Sequence, residues 1–272
     1  MHNPFVPETL EGWSVLHLMY RVRWDRLHGR TPADRERVSI EAARALAVPD
    51  AGSTAFVQVL GHKADLMIIC FRRSFDELAH AQLALSQSEL HEALEPTTSY
   101  VSVVELGMYE MTAKLHEQLS AKFKPGTDDF EKAFDEEMSS QRQRVMSRLF
   151  LDMPKARYVC FYPMNKRRGE AINWYSEAFD RRASMMREHG MIGRHYAGKV
   201  TQVISGSIGY DDWEWGVDLF ANDPLVFKKL IYEMRFDEAS AKFAEFGPFY
   251  TGLQFAPAQL ATYLNGGVPS LS

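Results

Sequence analysis

One histidine in the C-terminal half of the chain is placed where it could bind a metal. His189 follows Met185 and Met186 by four and three residues, so helical spacing puts its imidazole on an apolar face. One neutral imidazole on such a face is enough to ligate a haem iron. The spacing also fits a histidine at a helix end, where a cation favours the helix dipole and Gly190 caps the chain. From spacing alone, this helix-end interpretation is favoured.

Gln202 is the second polar residue with apolar neighbours. Strand alternation places its carboxamide on the same side as Val200 and Ile204. Buried amides usually find a hydrogen bond to nearby backbone, and spacing alone favours that role. The chemical alternative is a neutral donor over the open side of a metal, where it could orient peroxide.

Tyr162 ends a strand-like segment and shares a face with Tyr158 and Cys160. A donor-rich tail follows it, with the sequence Pro-Met-Asn-Lys-Arg-Arg. Such a tail is either a solvated basic turn or an edge that binds carboxylates, in which Lys166 and the earlier Arg148 hold acidic side arms of a ligand. A phenol beside an oxidising metal could also be a redox residue.

The elements that position these residues repeat along the chain. The first half predicts strands and helices in the order βαββαβ, and its helices begin with cap patterns at Thr31-Pro32 and at Ser74 with Glu77. The second half predicts the same order. The predicted first-half elements are strand 13–22, helix 32–46, strands 53–61 and 64–71, helix 74–94 and strand 99–106. Those of the second half are strand 156–162, helix 171–188, strands 199–205 and 213–220, helix 223–243 and strand 248–255.

The repeat predicts an α+β fold made of tandem ferredoxin-like βαββαβ units. Each unit leaves one sheet face bare, and the two faces are most simply covered by each other, which gives a dimeric α+β barrel within one chain. We expect a first unit over 1–110, a helical connector over 111–153 that is interrupted at Lys124-Pro125-Gly126, and a second, ligand-binding unit over 154–272.

Composition restricts the class of protein. The 272 residues are 46% hydrophobic and carry a formal charge of −5, which is typical of a globular protein and disfavours nucleic acid as a partner. The N-terminus has no secretory pattern and no apolar run is long enough to span a membrane, so we expect a cytoplasmic protein without a membrane partner. Cys70 and Cys160 lie in apolar runs and are interpreted as small hydrophobic residues.

The second half resembles the chlorite dismutase-like superfamily, and specifically its peroxide-dependent coproheme decarboxylases. The resemblance covers Tyr158 to Gly252, whereas the first half is similar mainly in strand order. The segments that carry it are YVCFYPMNKRR, NWY, EHGMIGRHYAGKVTQVISGS, DDWEWGVDLFANDP and FKKLIYEMRFDEASAKFAEFGPFYTG.

This resemblance implies a role for each matching residue. His189 is implied as the proximal iron ligand and Gln202 as the distal residue. Chlorite-degrading relatives carry an arginine at the distal position, which argues against chlorite chemistry here. Tyr162 is implied as the catalytic radical residue, with Lys166 beside the reacting propionate. The residues implied to contact the porphyrin propionates are Arg148, Tyr162, Pro163, Met164, Asn165, Lys166 and Ser240.

The implied function is haem biosynthesis. Iron-coproporphyrin III is the substrate and also the cofactor, hydrogen peroxide is the oxidant, and oxidative decarboxylation of two propionates to vinyl groups gives haem b. Members of the family assemble as homopentamers. Three alternatives remain at this stage: a haem carrier or sensor without turnover, a chlorite-degrading or peroxidase-like enzyme, and a barrel protein that binds no cofactor.

Overall fold

The computed structural model describes residues 6–48 and 51–271. Its first half contains β1 Thr9–Val22, α1 Trp24–His28, α2 Pro32–Ala45, β2 Ser53–Val59, β3 Leu66–Arg72, α3 Phe75–Gln87 and β4 Leu94–Gly107. Two connecting helices follow, α4 Tyr109–Ser120 and α5 Asp128–Leu149. The second half contains β5 Tyr158–Lys166, α6 Phe179–His195, β6 Thr201–Gly206, β7 Trp215–Ala221, α7 Leu225–Met234, α8 Glu238–Phe243, β8 Ala244–Phe246, β9 Tyr250–Phe255 and α9 Leu260–Leu264.

The fold is mixed α+β with antiparallel strand pairing. The strands lie in the order β7-β6-β4-β1-β3-β2-β9-β5-β8, and β5 also pairs with β7. This extra pairing joins the row to itself, so eight strands form a closed barrel and β8 extends the end of β5. The halves meet where β2 pairs with β9 and where β4 pairs with β6.

Each strand has one face toward the barrel interior and one toward helices. The interior core contains Phe161 of β5, Val203 of β6 and Phe220 of β7. Neighbours of opposite parity, such as Tyr162 and Leu219, belong to the core between the second half of the sheet and its helices. The two faces are therefore set by strand alternation.

The seam between the halves depends on a glycine. A side chain at Gly252 of β9 would place its Cβ 2.2 Å from the backbone oxygen of Gln58 in β2. The two strands can approach closely only because this position has no side chain.

Several local predictions are confirmed. Thr31 and Asp34 form a reciprocal capping box at α2, and the Ser74 side chain accepts a hydrogen bond from the Glu77 backbone at α3. The predicted interruption at 124–126 separates α4 from α5. No helix within the described ranges is long and apolar enough to cross a membrane.

Two helix predictions in the second half are wrong. The helix predicted over 171–188 lies instead at Phe179–His195, so Gly190 is inside a helix and does not end it. A glycine inside a helix costs about 1 kcal/mol, which is small enough for tertiary packing of the surrounding turns to offset. The helix predicted over 223–243 is two helices, because the Asp237 side chain accepts the Ser240 backbone N–H and starts α8.

Candidate functional site

The outer face of β5, β7 and β6 carries Tyr162 and Gln202. Cross-strand pairing places Tyr162 opposite Val217, and Val217 opposite Ile204. Gln202 lies in the next row, two residues from Ile204 along β6. With strands about 4.8 Å apart and a rise of about 3.4 Å per residue, the Cα atoms of Tyr162 and Gln202 are roughly 12 Å apart. The two side chains therefore bracket one patch of the sheet.

Part of this patch is apolar and open. Ile204 is 39% exposed and lies on the outer face of β6 between Gln202 and Gly206, whereas Val203 and Ser205 on the inner face are buried. On the opposite wall, a Cβ at Gly193 of α6 would lie 3.9 Å from Oε1 of Gln202. Helix α6 thus approaches β6 at Gly193, and His189 lies one helical turn earlier on the same helix.

His189 is held by α8. Its Nδ1 lies 2.9 Å from Oδ2 of Asp237 and 3.3 Å from Oγ of Ser240, and its side chain is 25% exposed. In the neutral tautomer that donates from Nδ1 to this carboxylate, Nε2 keeps its lone pair. This is the orientation and the tautomer that a metal-binding imidazole needs.

Asp237 is part of a compact hydrogen-bonded unit. One of its oxygens accepts the backbone N–H of Ser240 at 2.8 Å, and the other accepts the Ser240 hydroxyl at 3.1 Å. Burial by itself would raise the pKa of Asp237, but the hydrogen bonds from His189 and Ser240 outweigh it and hold the pKa below its usual range. The carboxylate therefore stays charged beside the imidazole.

Lys166 lies at the end of β5 and is almost fully buried. Its Nζ donates to the Ala239 carbonyl oxygen of α8 at 3.2 Å and lies 4.6 Å from the ring centroid of Trp174. No carboxylate of the described chain lies within ion-pair distance of the ammonium. Burial lowers the pKa of Lys166 to about 8, although Asp237 and Glu214 act in the opposite direction. A buried cation of this kind can accept an external carboxylate.

Tyr162 is buried among aromatic side chains. Its ring stacks on Phe249 with centroids 4.6 Å apart and lies 5.7 Å from Phe246. Burial raises the pKa of its phenol, so the group is neutral and protonated at physiological pH. Tyr162 and Lys166 share the outer face of β5 because they are four residues apart in a strand.

Other members of the predicted tail face away from this site. Pro163 and Asn165 have the opposite parity to Tyr162, and the Asn165 side chain accepts the Glu214 backbone N–H at 2.7 Å. Met164 does lie on the outer face and packs with the Tyr162 cluster. From Pro163 and Asn165, only backbone groups can reach a ligand on the outer face.

Ser240 and Arg148 have different surroundings from those expected. Ser240 is brought to His189 and Asp237, so its hydroxyl supports the imidazole. Arg148 is exposed near the end of α5, a helix that packs mainly on α4 and on the strands β1 and β4. In the part of the chain that the structure describes, no hydrogen bond or ion pair joins Arg148 to the other predicted residues.

Three residues of the site were missed by sequence reasoning. Asp237 supports His189, Trp174 lies under the Lys166 ammonium, and Glu214 accepts the Lys166 backbone N–H at 2.9 Å. Asp237 could have been found from its Asp-x-x-Ser spacing, which is typical of a helix N-cap. Trp174 and Glu214 carry no comparable local signal, because their roles depend on contacts distant in sequence.

The first half also contributes a side chain to the edge of the patch. The side chain of Glu105 in β4 lies over Gly206, and a Cβ at Gly206 would be only 2.1 Å from Oε2 of Glu105. Oε1 of Glu105 accepts a hydrogen bond from Nε1 of Trp215 at 3.3 Å. Burial raises the pKa of this carboxyl. The patch therefore has a cation at the β5 end and an acid at the β4 end.

The family model described as chlorite dismutase matches residues 35–255. This chain belongs to that family. Coproheme decarboxylases of Staphylococcus carnosus and Thermus thermophilus are 40% and 43% identical to it, with 94% and 97% of this chain covered. The chain covers 97% and 98% of those two relatives, respectively. It covers only 41% of a relative from Natronomonas pharaonis that is named for heme binding and is 44% identical.

Solved structures agree with this membership in the chlorite dismutase family. A heme-binding protein from Thermus thermophilus has a TM-score of 0.78 and 40% identity, with 97% of this chain and 100% of that chain covered. A chlorite dismutase mutant from Candidatus Nitrospira defluvii has a TM-score of 0.70 with 14% identity, over 93% of this chain and 95% of that one. The second likeness supports the fold alone.

Proposed function

We propose that this protein is a coproheme decarboxylase, which converts iron-coproporphyrin III to haem b with hydrogen peroxide as the oxidant. The observation that carries the proposal is the buried Lys166 ammonium, which has no ion pair within the described chain and lies on the same helix-covered face as an oriented imidazole. An iron porphyrin with carboxylate side arms fits both groups. The relatives named coproheme decarboxylase, which match over nearly the full length of both chains, support the same assignment.

Each residue on this face has a defined task in the proposal. His189 would ligate the iron through Nε2, with Asp237 and Ser240 holding Nδ1. Gln202 would donate a neutral hydrogen bond that orients peroxide. Lys166 would hold the reacting propionate and stabilise its charge, which is a proximity effect.

The proposed binding set is completed by residues around the porphyrin rim. Tyr162, Met164 and Lys166 would contribute side chains from β5, and Pro163 and Asn165 would contribute backbone groups. Arg148 would reach a propionate from the connector. Ser240 would act at the proximal side, through His189, as well as near the propionates.

Tyr162 would carry out the radical step. A bound iron porphyrin would supply the oxidising chemistry, because its reaction with peroxide withdraws electrons from the site. Tyr162 loses an electron and its phenolic proton, and the resulting radical takes a hydrogen atom from the β-carbon of a propionate. Loss of a further electron and of carbon dioxide leaves a vinyl group. Each propionate thus gives up two electrons and one proton as it loses carbon dioxide, and with one further proton from solvent these reduce one peroxide to two waters.

The decisive test is a peroxide titration of the protein loaded anaerobically with ferric coproporphyrin III. We expect mass spectrometry to show the successive loss of two carboxyl groups in the wild type and none in Tyr162→Phe. The Phe249→Leu variant is the matched control, because it alters the same aromatic cluster and leaves the phenol in place. Binding of the porphyrin without any change of mass in the wild type would refute the enzyme proposal.

A haem-binding protein without turnover is the second candidate, and the Thermus thermophilus structure described as a heme-binding protein favours it. The peroxide titration separates the two functions, because a carrier retains its porphyrin unchanged. A Soret band that forms with ferric coproporphyrin in the wild type and is lost in His189→Ala would support binding in either case.

We also propose that the architecture is a tandem of ferredoxin-like units over 1–110 and 154–272, joined by the helical connector 111–153. The strand orders support it, since β4-β1-β3-β2 in the first half corresponds to β9-β5-β7-β6 in the second. Paired units of this kind would make a dimeric α+β barrel within one chain. Homopentamer assembly is proposed from the family resemblance, and sedimentation analysis would test it.

A further inference from the structure

Glu214 is a buried acid that the proposed reaction does not use. It lies just before β7, and it is clasped to the end of β5 by two hydrogen bonds in opposite directions. Its Oε2 accepts the Lys166 backbone N–H at 2.9 Å, and its own backbone N–H donates to Oδ1 of Asn165 at 2.7 Å. The other carboxylate oxygen lies 3.4 Å from Nε of Arg168.

This arrangement keeps the Glu214 carboxylate away from the Lys166 ammonium. An acid in direct contact with the ammonium would neutralise it and compete with any incoming carboxylate. Here the negative charge is engaged by a backbone donor and by Arg168 instead. The side chain that sets the position of Lys166 therefore leaves the Lys166 charge available.

Trp174 supports the other end of the lysine side chain. It is fully buried, its backbone N–H donates to the Arg167 carbonyl oxygen at 2.8 Å, and its ring packs edge-on against Phe243. The ammonium of Lys166 lies over this ring at 4.6 Å from the centroid. A cation held by a ring face and one carbonyl oxygen keeps its net charge, and it has three N–H donors to share.

We infer that Glu214 and Trp174 are positioning residues for Lys166, which together aim an unneutralised ammonium at a carboxylate of the ligand. Glu214 fixes the backbone at the end of β5, and Trp174 fixes the ammonium. The inference rests on the proposed function for the identity of that carboxylate, a propionate of coproporphyrin. The Ala239 carbonyl oxygen and the Trp174 ring contact the ammonium. The carboxylates of Asp237 and Glu214 act on it electrostatically from beyond ion-pair distance.

The test uses a ligand that cannot turn over. Zinc coproporphyrin III has the carboxylates of the substrate, and its tetramethyl ester has the same ring without the charges. The dissociation constants of both are measured by fluorescence for the wild type, for four variants of Glu214 and Trp174, and for one control variant. Glu214→Ala and Trp174→Leu delete the support, whereas Glu214→Gln keeps a hydrogen-bond acceptor and Trp174→Phe keeps a ring face.

We expect the two deletions to weaken binding of the acid about tenfold, since they misplace one charge-assisted hydrogen bond. Binding of the ester should be unchanged. The two conservative variants should stay within about threefold of the wild type for the acid. Glu245→Gln, which removes an exposed acid of β8 that pairs with Arg167, should change neither constant.

Two outcomes would overturn the inference. An equal loss of affinity for the acid and for the ester in Glu214→Ala and Trp174→Leu would mean that these residues only maintain the fold. Unchanged affinity for the acid would mean that Lys166 needs neither support. Both outcomes are independent of turnover, so a protein that fails to decarboxylate ferric coproporphyrin but discriminates acid from ester would lose the proposed function and keep this inference.

Discussion

The two halves of the barrel have the same strand order but differently covered outer faces. In the first half, Leu16 and Leu18 of β1 and Phe56 of β2 are sealed under α2, α3 and α9. Phe56 is fully buried and stacks on Phe255 with centroids 5.6 Å apart. The first face is a closed, mainly apolar core that also buries the side chains of Tyr20, Cys70 and Tyr263.

The second face is incomplete as a core. Strand β6 occupies the place of β2, and it presents Gln202 and the half-open Ile204 where the first half has Phe56. The β5 strand presents Tyr162 and Lys166 where β1 presents aliphatic side chains. The candidate site therefore lies where side chains fill the helix-covered face of the sheet incompletely.

The largest difference between the faces should appear in stability. Phe56→Ala should lower the free energy of unfolding by about 3–5 kcal/mol, because it empties a fully buried aromatic site. Ile204→Ala should cost about 1 kcal/mol or less, because that side chain is already partly exposed. Urea denaturation measures both. Equal losses would show that the second face is packed as tightly as the first.

The halves are also joined through the barrel interior by a buried pair. Nε2 of His17 in β1 lies 3.0 Å and 3.1 Å from the two carboxylate oxygens of Asp218 in β7, and both side chains are almost fully buried. Asp218→Ala should destabilise the protein by about 3–5 kcal/mol, since it removes one partner of a buried pair. Thermal and urea unfolding check this value. A double variant, His17→Phe with Asp218→Val, should recover much of the loss, and failure to recover would assign the effect to packing instead.

A helix cap in each half provides a matched comparison. Asp237→Ala and Thr31→Ala each remove an N-cap and should each cost about 1 kcal/mol of stability. Only Asp237→Ala should weaken binding of ferric coproporphyrin, by about 10–100-fold, because it also removes the partner of His189 Nδ1. Titration of the Soret band measures this. Weaker binding in Thr31→Ala as well would indicate a general loss of fold.

The buried lysine predicts a pH dependence found only on the second face. Its pKa of about 8 means that Lys166 loses its charge as the pH rises through that value. Binding of zinc coproporphyrin III should therefore weaken above pH about 8 in the wild type, and Lys166→Met should abolish this step. The tetramethyl ester of zinc coproporphyrin III serves as the uncharged control ligand. A wild-type affinity that stays constant through this range would contradict the assigned role.

The lowered pKa of Lys166 also makes the stability of the folded protein depend on pH. The folded state has given up the Lys166 proton above pH about 8, whereas the unfolded chain keeps it up to its ordinary pKa of 10.5. Stability should therefore rise with pH in this window, because the cost of burying the charged form is relieved. The difference in urea midpoint between the wild type and Lys166→Met measures this contribution.

The smallest expected effect concerns Arg148. Its side chain is exposed on α5, so Arg148→Gln should leave stability within about 0.5 kcal/mol of the wild type. An exposed ion pair is worth about 0.2–1 kcal/mol, and loss of one to a propionate should weaken zinc coproporphyrin III by no more than about fivefold. Equilibrium titrations with zinc coproporphyrin III and with its tetramethyl ester measure this difference. An unchanged affinity for zinc coproporphyrin III in this variant would show that Arg148 does not contribute to binding.

Patterns of alternation predicted much of the second face. The shared side of Tyr158, Cys160 and Tyr162 follows from a period of two, and it agrees with the cores that these residues join. The interruption between α4 and α5 was also readable, because proline and glycine act locally. These features depend on residues that are close in sequence.

Helix boundaries near the site were less predictable. Gly190 suggested a helix end, yet α6 continues to His195, because packing of its later turns outweighs the propensity of one glycine. The pattern over 223–243 suggested one helix, yet Asp237 starts a new one. In both places a specific contact overrides a weak local preference.

The order of the strands, their faces and the candidate residues His189, Gln202, Tyr162 and Lys166 could be predicted from the sequence, because they follow from local periodicity and motif content. The groups that support these residues are visible only in the folded chain. Asp237 reaches His189 across 48 residues, and Glu214 reaches Lys166 across the same separation. Hydrogen bonds of this range have no periodicity to reveal them, since they form only when separate elements pack against one another.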